Sequence, residues 1–177
     1  MESKAKLFGH PIHPMLIVLP LGLLSAAVVF DVVYLVTGED AFSTVAFWNI
    51  AAGVVGGLSA AVFGAWDWWH IPRDTRARRI GLWHGGGNVV VVVLFALSWL
   101  LRLGAEGYEP GTLAHILSFG GLALAAVTGW LGGELVDRLG VGVDHGANLN
   151  APNSLSGRPA DADAAGTRTV PSETGRP

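Results

Sequence analysis

The segment Gly9-His10-Pro11-Ile12-His13-Pro14 sets two imidazoles three residues apart, each followed by proline. Proline pushes the residue before it toward an extended conformation. In polyproline geometry three residues complete a turn, so the spacing predicts that His10 and His13 project from one edge. Histidine is a common metal ligand and an axial ligand of haem iron. His84 and Asn88 stand four apart, which places them on one face of a helix. Gly85, Gly86 and Gly87 clear space beside His84 for a bulky planar ligand. Each feature also has a plain reading. The first is then an interfacial turn entering a helix at Pro14, and the second an interhelical hydrogen-bond pair with glycines as packing.

Carboxylates and a further histidine lie near these groups in the chain's pattern. Asp67 and His70 close one apolar stretch, and Glu134 and Asp137 close another. Such groups can bind a metal or orient a ligand histidine. Alternatively they form ion pairs with Arg73, Arg76, Arg78, Arg79 or Arg138. Asp31 and His115 fall toward the other ends of their stretches, where they can approach and share a proton or snorkel to the interface. Between them and the first group the stretches are almost wholly apolar, which argues against an ion channel or transporter. No HExxH-like spacing appears, so a hydrolytic metal site, with Asp67 or Glu134 as base, ranks last. The absence of cysteine excludes thiolate metal sites, cysteine-ligated iron–sulfur clusters and covalent c-type haem.

The elements that must position these residues are membrane helices. Hydrophobic residues make up 51% of the chain and charged residues 14%, against about 25% charged in an ordinary soluble domain. Four apolar stretches, Met15–Val36, Val45–Trp66, Trp83–Leu103 and Thr112–Leu135, are each near the ~20 residues that cross ~30 Å of hydrocarbon. The first exceeds the roughly 7–15 residues of a signal-peptide core, so it reads as a retained helix. The valine run Val89–Val93 is strand-like by propensity, yet lipid requires every backbone group to be bonded within the segment. Short links predict an all-α, up-down-up-down four-helix bundle over residues 1–142. Residues 143–177, poor in groups to bury, read as a disordered tail.

Lys4, Lys6, Arg73, Arg76, Arg78, Arg79 and Arg138 fall on one side of that bundle, with Arg102 alone opposite. The excess predicts that this side, with both termini, is cytoplasmic. Two ladders of small residues recur at four-residue spacing: Gly53, Gly57, Ala61 and Ala65, and Gly121, Ala125, Gly129 and Gly133. Small residues on one face let helix backbones approach closely, within the bundle or between copies, so a homo-oligomer is among the expectations.

Gly9-His10-Pro11-Ile12-His13-Pro14-Met15-Leu16, Trp83-His84 with Asn88, and Gly129-Trp130-Leu131-Gly132-Gly133-Glu134-Leu135-Val136 resemble the bacterial membrane family called domain of unknown function 2231, from about Phe8 to Val143. The resemblance implies four transmembrane helices in a bacterial inner membrane. It also hints at redox partners of Rieske or cytochrome type; nucleic acid is not an expected partner. Many members carry a further histidine where this chain has Val18, so a site built on that histidine would lack a ligand here. His10, His13 and His84 match the family's motifs; His70 and His115 are not carried over. The leading expectation is a cytochrome-like module holding b-type haem, or a metal, by His84 and one of His10 or His13, with Asn88 beside them. The alternative is a structural or assembly subunit without cofactor.

Overall fold

The computed structural model describes residues 1–162. Among them, four helical spans are long and apolar enough to cross a membrane, and they form the all-α bundle. The first span has two parts, α1 (Ile12–Leu16) and α2 (Val18–Thr37). The others are α3 (Asp40–Trp69), α4 (Arg76–Leu101) and α5 (Thr112–Gly133), the last extended by a π-helical turn at Glu134–Arg138. A two-stranded hairpin, β1 (Lys6–Leu7) with β2 (His10–Pro11), precedes α1. Its turn uses Phe8 and Gly9, both at positive φ.

Two boundaries differ from the apolar pattern for clear reasons. The first span starts at Ile12, not Met15. The Ile12 amide donates to Ala5 O (2.9 Å), so the hairpin satisfies a helix-start donor. The third span starts at Arg76, seven residues inside the expected basic link. Thr75 caps it by accepting from the Arg78 amide (3.1 Å). The Arg78 guanidinium then donates to Trp68 O (2.8 Å), Trp69 O (2.9 Å) and Ile71 O (3.0 Å) and lies over the Trp68 ring. One side chain thus gathers three carbonyls at the end of α3, where a helix leaves acceptors short of partners.

The bundle buries its few polar groups among apolar side chains and turns large apolar side chains outward, unlike a water-soluble protein. Trp48, Trp66, Trp69, Trp83 and Trp130 are exposed, while Asp31, Ser43, Ser98, Arg102 and Ser118 are fully buried. Leu24, Ala27, Ile50, Val91 and Phe95 complete the interior. Lipid is as apolar as leucine, so the burial gain goes to hydrogen bonds and close packing instead.

The small-residue ladders divide. A Cβ at Gly53 would meet Leu24 Cδ2 at 2.5 Å, one at Gly57 would meet Val92 Cγ2 at 2.9 Å, and one at Gly121 would meet Phe95 Cε2 at 2.8 Å. Ala125 packs against the core. Ala61 and Ala65 are exposed, and Gly129 and Gly133 have open space where a Cβ would stand. A strict four-residue step drifts around a 3.6-residue helix, so each ladder leaves the interior as it approaches the terminal side. Gly56, Ala60, Gly64 and Gly132 take over there: a Cβ at Gly56 would meet Leu19 Cβ at 2.9 Å, Ala60 is buried, and Gly64 and Gly132 abut histidine rings.

Of the segment expected to be a disordered tail, residues 143–162 are described. Lys6 bridges Glu2 (3.1 Å) and Asp144, and the His145 amide donates to Glu2 (3.1 Å). Ser154 sits over the hairpin turn, where a Cβ on Gly9 would come within 2.8 Å of it. With few apolar groups to bury, this segment is held by polar contacts to residues 1–10. Residues 163–177 lie outside the described residues.

Candidate functional site: a histidine pair on the terminal side

His13 enters the bundle at the start of α1. Its Nδ1 lies 2.9 Å from Ala60 O on α3, and its ring packs against Gly64, where a Cβ would stand 2.8 Å from His13 Cε1. His84, on α4, repeats this arrangement against α5. Its Nδ1 lies 2.8 Å from Thr128 O, and a Cβ on Gly132 would stand 3.0 Å from His84 Cε1. A carbonyl only accepts, so each Nδ1 carries the proton and donates. Each Nε2 of a neutral ring then keeps its lone pair, the state in which histidine ligates a metal. The two ring centroids are 6.4 Å apart, with planes at 88°.

Asn88 supports His84 from one turn on. Its Nδ2 donates to His84 O (2.8 Å) and is nearly equidistant from the two ring nitrogens, at 3.5 and 3.4 Å, so it is aimed at neither. Its Oδ1 lies 3.0 Å from Thr128 Oγ1, which donates to it. The three consecutive glycines have separate tasks. Gly87 admits the Thr128 side chain, since a Cβ there would meet Thr128 Cγ2 at 2.5 Å, while Gly85 and Gly86 face open space.

The other residues singled out from the sequence lie outside this pair. Against the polyproline expectation, the hairpin turn and helix start send His10 and His13 apart: His10 is exposed and meets Ser154 Oγ at 3.3 Å. Asp67 accepts from Ser3 Oγ (2.8 Å) and the Lys4 amide (2.9 Å), pinning the N-terminal segment to α3. His70 Nδ1 donates to Trp66 O (2.8 Å), Glu134 pairs with Arg76 (2.7 Å), and Asp137 is exposed. Among the described residues no three histidine or acidic side chains gather as a metal cluster.

A second polar centre sits at the opposite end. Arg102 Nη1 donates to Asp31 Oδ1 (2.6 Å) and Nη2 to Oδ2 (2.7 Å), with both side chains fully buried. Ser118 donates to the same carboxylate (3.1 Å), and Arg102 also reaches Ser98 Oγ (3.2 Å). Asp31 is therefore paired with arginine and not with His115. The His115 Nε2 is buried without a partner, as are Arg102 Nε and Trp99 Nε1.

The two centres share a register that the sequence reading missed. Asp31 and Arg102 are 71 residues apart, and so are His13 and His84. Leu24 and Phe95, and Ala27 and Ser98, keep that offset and are all buried. On the partner helices the offset is 68: Ala46 and Ala114, Gly53 and Gly121, Ala60 and Thr128, Gly64 and Gly132. The spans before and after each tight link are thus quasi-equivalent hairpins, with the histidines and the charges each meeting their own counterpart. The signal was present as a histidine followed eighteen residues later by a charge, in both His13…Asp31 and His84…Arg102.

No curated protein and no solved structure gives a significant match to the chain. The model of a family described as predicted membrane protein, DUF2231, matches residues 9–145, a stretch that holds both hairpins and both polar centres. The chain belongs to this membrane-protein family.

Proposed function

We propose that the histidine pair is the ligand set of a redox module in which His13 and His84 take one iron of a b-type haem. The observation that carries this reading is the pair's geometry. Two imidazoles can share one metal only when their ring centres lie within about 6.6 Å, a bond of about 2.0–2.1 Å plus about 1.2 Å to each ring centre. The rings stand 6.4 Å apart with each Nδ1 already committed to a backbone carbonyl. Gly85 and Gly86 are exposed on the outer face of α4, so nothing on that face of the helix blocks an approach from outside the bundle. A b-type haem there would supply one-electron redox chemistry. The chain's own part is to fix both tautomers through Ala60 O and Thr128 O, and to steady His84 through Asn88.

The orientation belongs to the same proposal. The basic side, with both termini and the histidine pair, faces the cytoplasm of a bacterial inner membrane. The clustering of lysine and arginine supports it. A Rieske-type or cytochrome protein is then a fitting redox partner.

The test is an absorbance spectrum and metal analysis of the purified full chain. A Soret band, lost in both His13→Ala and His84→Ala but retained in His10→Ala, is expected. A protein that carries neither haem nor metal after expression with haem supplied overturns the reading. One observation favours a second reading, an assembly subunit: Ala61, Gly129 and Gly133 present small residues outward. A large partner that co-purifies equally with the His84→Ala variant would support it.

A further inference from the structure

The β1–β2 hairpin is built on a turn that its own sequence resists. Phe8 stands at φ 51° and Gly9 at φ 82°, the pair of left-handed residues that a two-residue hairpin turn uses. Glycine takes that conformation freely and asparagine readily, whereas a bulky side chain is strained in it. The ring gains no packing in return, since Phe8 is 73% exposed and Leu7 beside it is 46% exposed. The turn is held in place all the same. Lys6 pairs with Pro11 and Leu7 with His10, and Ser154 Oγ donates to Phe8 O (3.3 Å). A strained residue that its surroundings hold fast, with its side chain free, marks a use outside the packing.

The ties on either side of the hairpin set its depth. Before it, Ser3 Oγ and the Lys4 amide donate to Asp67 (2.8 and 2.9 Å), between Trp66 and Trp69, which are both exposed. After it, His13 meets Ala60 O on the same helix. These two levels are about 10 Å apart along α3, at 1.5 Å per residue. The hairpin's base, where the Ile12 amide donates to Ala5 O (2.9 Å), joins them. At about 3.3 Å per residue, its short strands put the tip within ~7 Å of that base. Exposed tryptophans belong at the boundary of hydrocarbon and headgroups, and Trp83 and Trp130 stand exposed at this same end of α4 and α5. The headgroup layer of one leaflet is about 5–8 Å deep, so the tip lies at that boundary.

We propose that the hairpin is an interfacial anchor, with the Phe8 ring and Leu7 entering the leaflet on the terminal side. The partner is lipid. Transfer of the two apolar side chains out of water offsets the strain of the turn. Lys4, exposed beside the Asp67 tie, extends its ammonium to the phosphates. The hairpin runs directly into α1, so the anchor fixes the depth at which His13 enters the bundle. It stands apart from the haem reading, because it needs neither imidazole.

The chain has no cysteine, so one introduced cysteine carries a single spin label. The test places that label at Phe8→Cys in the full chain in phosphatidylcholine nanodiscs. Its collisions with oxygen, which concentrates in lipid, are compared with its collisions with a water-soluble nickel chelate. Leu149→Cys, at a fully exposed residue of the following segment, supplies the value for water. An oxygen preference for the Phe8→Cys label several-fold above that of the Leu149→Cys label is expected. Leu7→Cys carries the same expectation if the Phe8 variant fails to fold. A preference equal to that of Leu149→Cys overturns the proposal, since the tip would then stand in water. A label that is immobilised and shielded from both reagents also overturns it, and assigns the ring to a protein partner or a second copy.

Discussion

Removing either member of the Asp31–Arg102 pair should destabilise the bundle far more than removing both. The pair is bidentate at 2.6 and 2.7 Å, fully buried, and steadied by Ser118 and Ser98. Breaking a buried pair from one side costs about 3–5 kcal/mol, because an uncompensated charge stays behind. Asp31→Leu strands a guanidinium that cannot lose its proton, so it should fall at the upper end of that range. Arg102→Met strands a carboxyl that can take one up, and should cost about 2–3 kcal/mol. The double variant leaves no charge and should lie within about 1 kcal/mol of the native protein, or above it. The assay is reversible unfolding in mixed micelles, followed by far-UV circular dichroism. Ordinary interhelical hydrogen bonds in membranes couple by about 0.6 kcal/mol on average, so a coupling above about 2 kcal/mol identifies a desolvated charge pair. A coupling below about 1 kcal/mol would refute the reasoning, since it would mean that water or lipid headgroups reach the pair.

The remaining predictions use the same structure. Gly64→Ala and Gly132→Ala each drive a methyl into a histidine ring, at 2.8 and 3.0 Å from Cε1; unfolding should cost about 1–3 kcal/mol, and in the proposed haem protein the Soret band should shift or vanish. Gly121→Leu, facing Phe95, should destabilise by a similar or larger amount, whereas Gly129→Leu and Gly133→Leu should leave monomer stability within about 0.5 kcal/mol, and thermal unfolding distinguishes the two sets. The Glu2 carboxyl is held below its ordinary value of 4.5, first by the hydrogen bond from the His145 amide and then by Lys6. Lys6 is held above 10.5, first by its hydrogen bond to Asp144. A lowered carboxyl contributes stability above its unfolded value and loses it as pH falls; a raised amine does so below its unfolded value and loses it as pH rises. Amide-exchange protection at His145 should therefore fall off below about pH 4 and above about pH 10; protection unchanged at both ends would contradict the assignment.

The bundle was legible because lipid imposes one strong constraint. Contiguous apolar runs can satisfy their backbones there only as helices, so even Val89–Val93 is helical. The ends were less legible, since hydropathy fades where side-chain bonding takes over: Arg78 bonding to α3 carbonyls extends α4 into a basic stretch. Residue type marked His84 and Asn88 as companions, and four-residue spacing brings them onto one face. Which of His10 and His13 faces His84, and the pairing of Asp31 with Arg102, were hidden. Both depend on how two hairpins dock, and local spacing carries no information about docking. His10 shows the converse, since its motif resembles that of His13 while the hairpin turn sends it outward.

The duplicated register explains why so few polar residues suffice. A hairpin of two apolar helices carrying one histidine and one charge can bond the histidine to its own partner helix but would leave the charge unsatisfied in lipid, at a cost of several kcal/mol. Docking a second hairpin in the same sense places like positions opposite one another. At the terminal end the counterparts are identical, His13 and His84, and two neutral imidazoles can share one ion or lie edge to face. At the far end identical charges would repel, and the two halves instead carry opposite ones, Asp31 and Arg102. Equivalence is thus kept where two like groups are tolerated and broken where symmetry would be destabilising. The same break in symmetry puts Trp99, stacked on Phe47, in one flank and Val28 in the other.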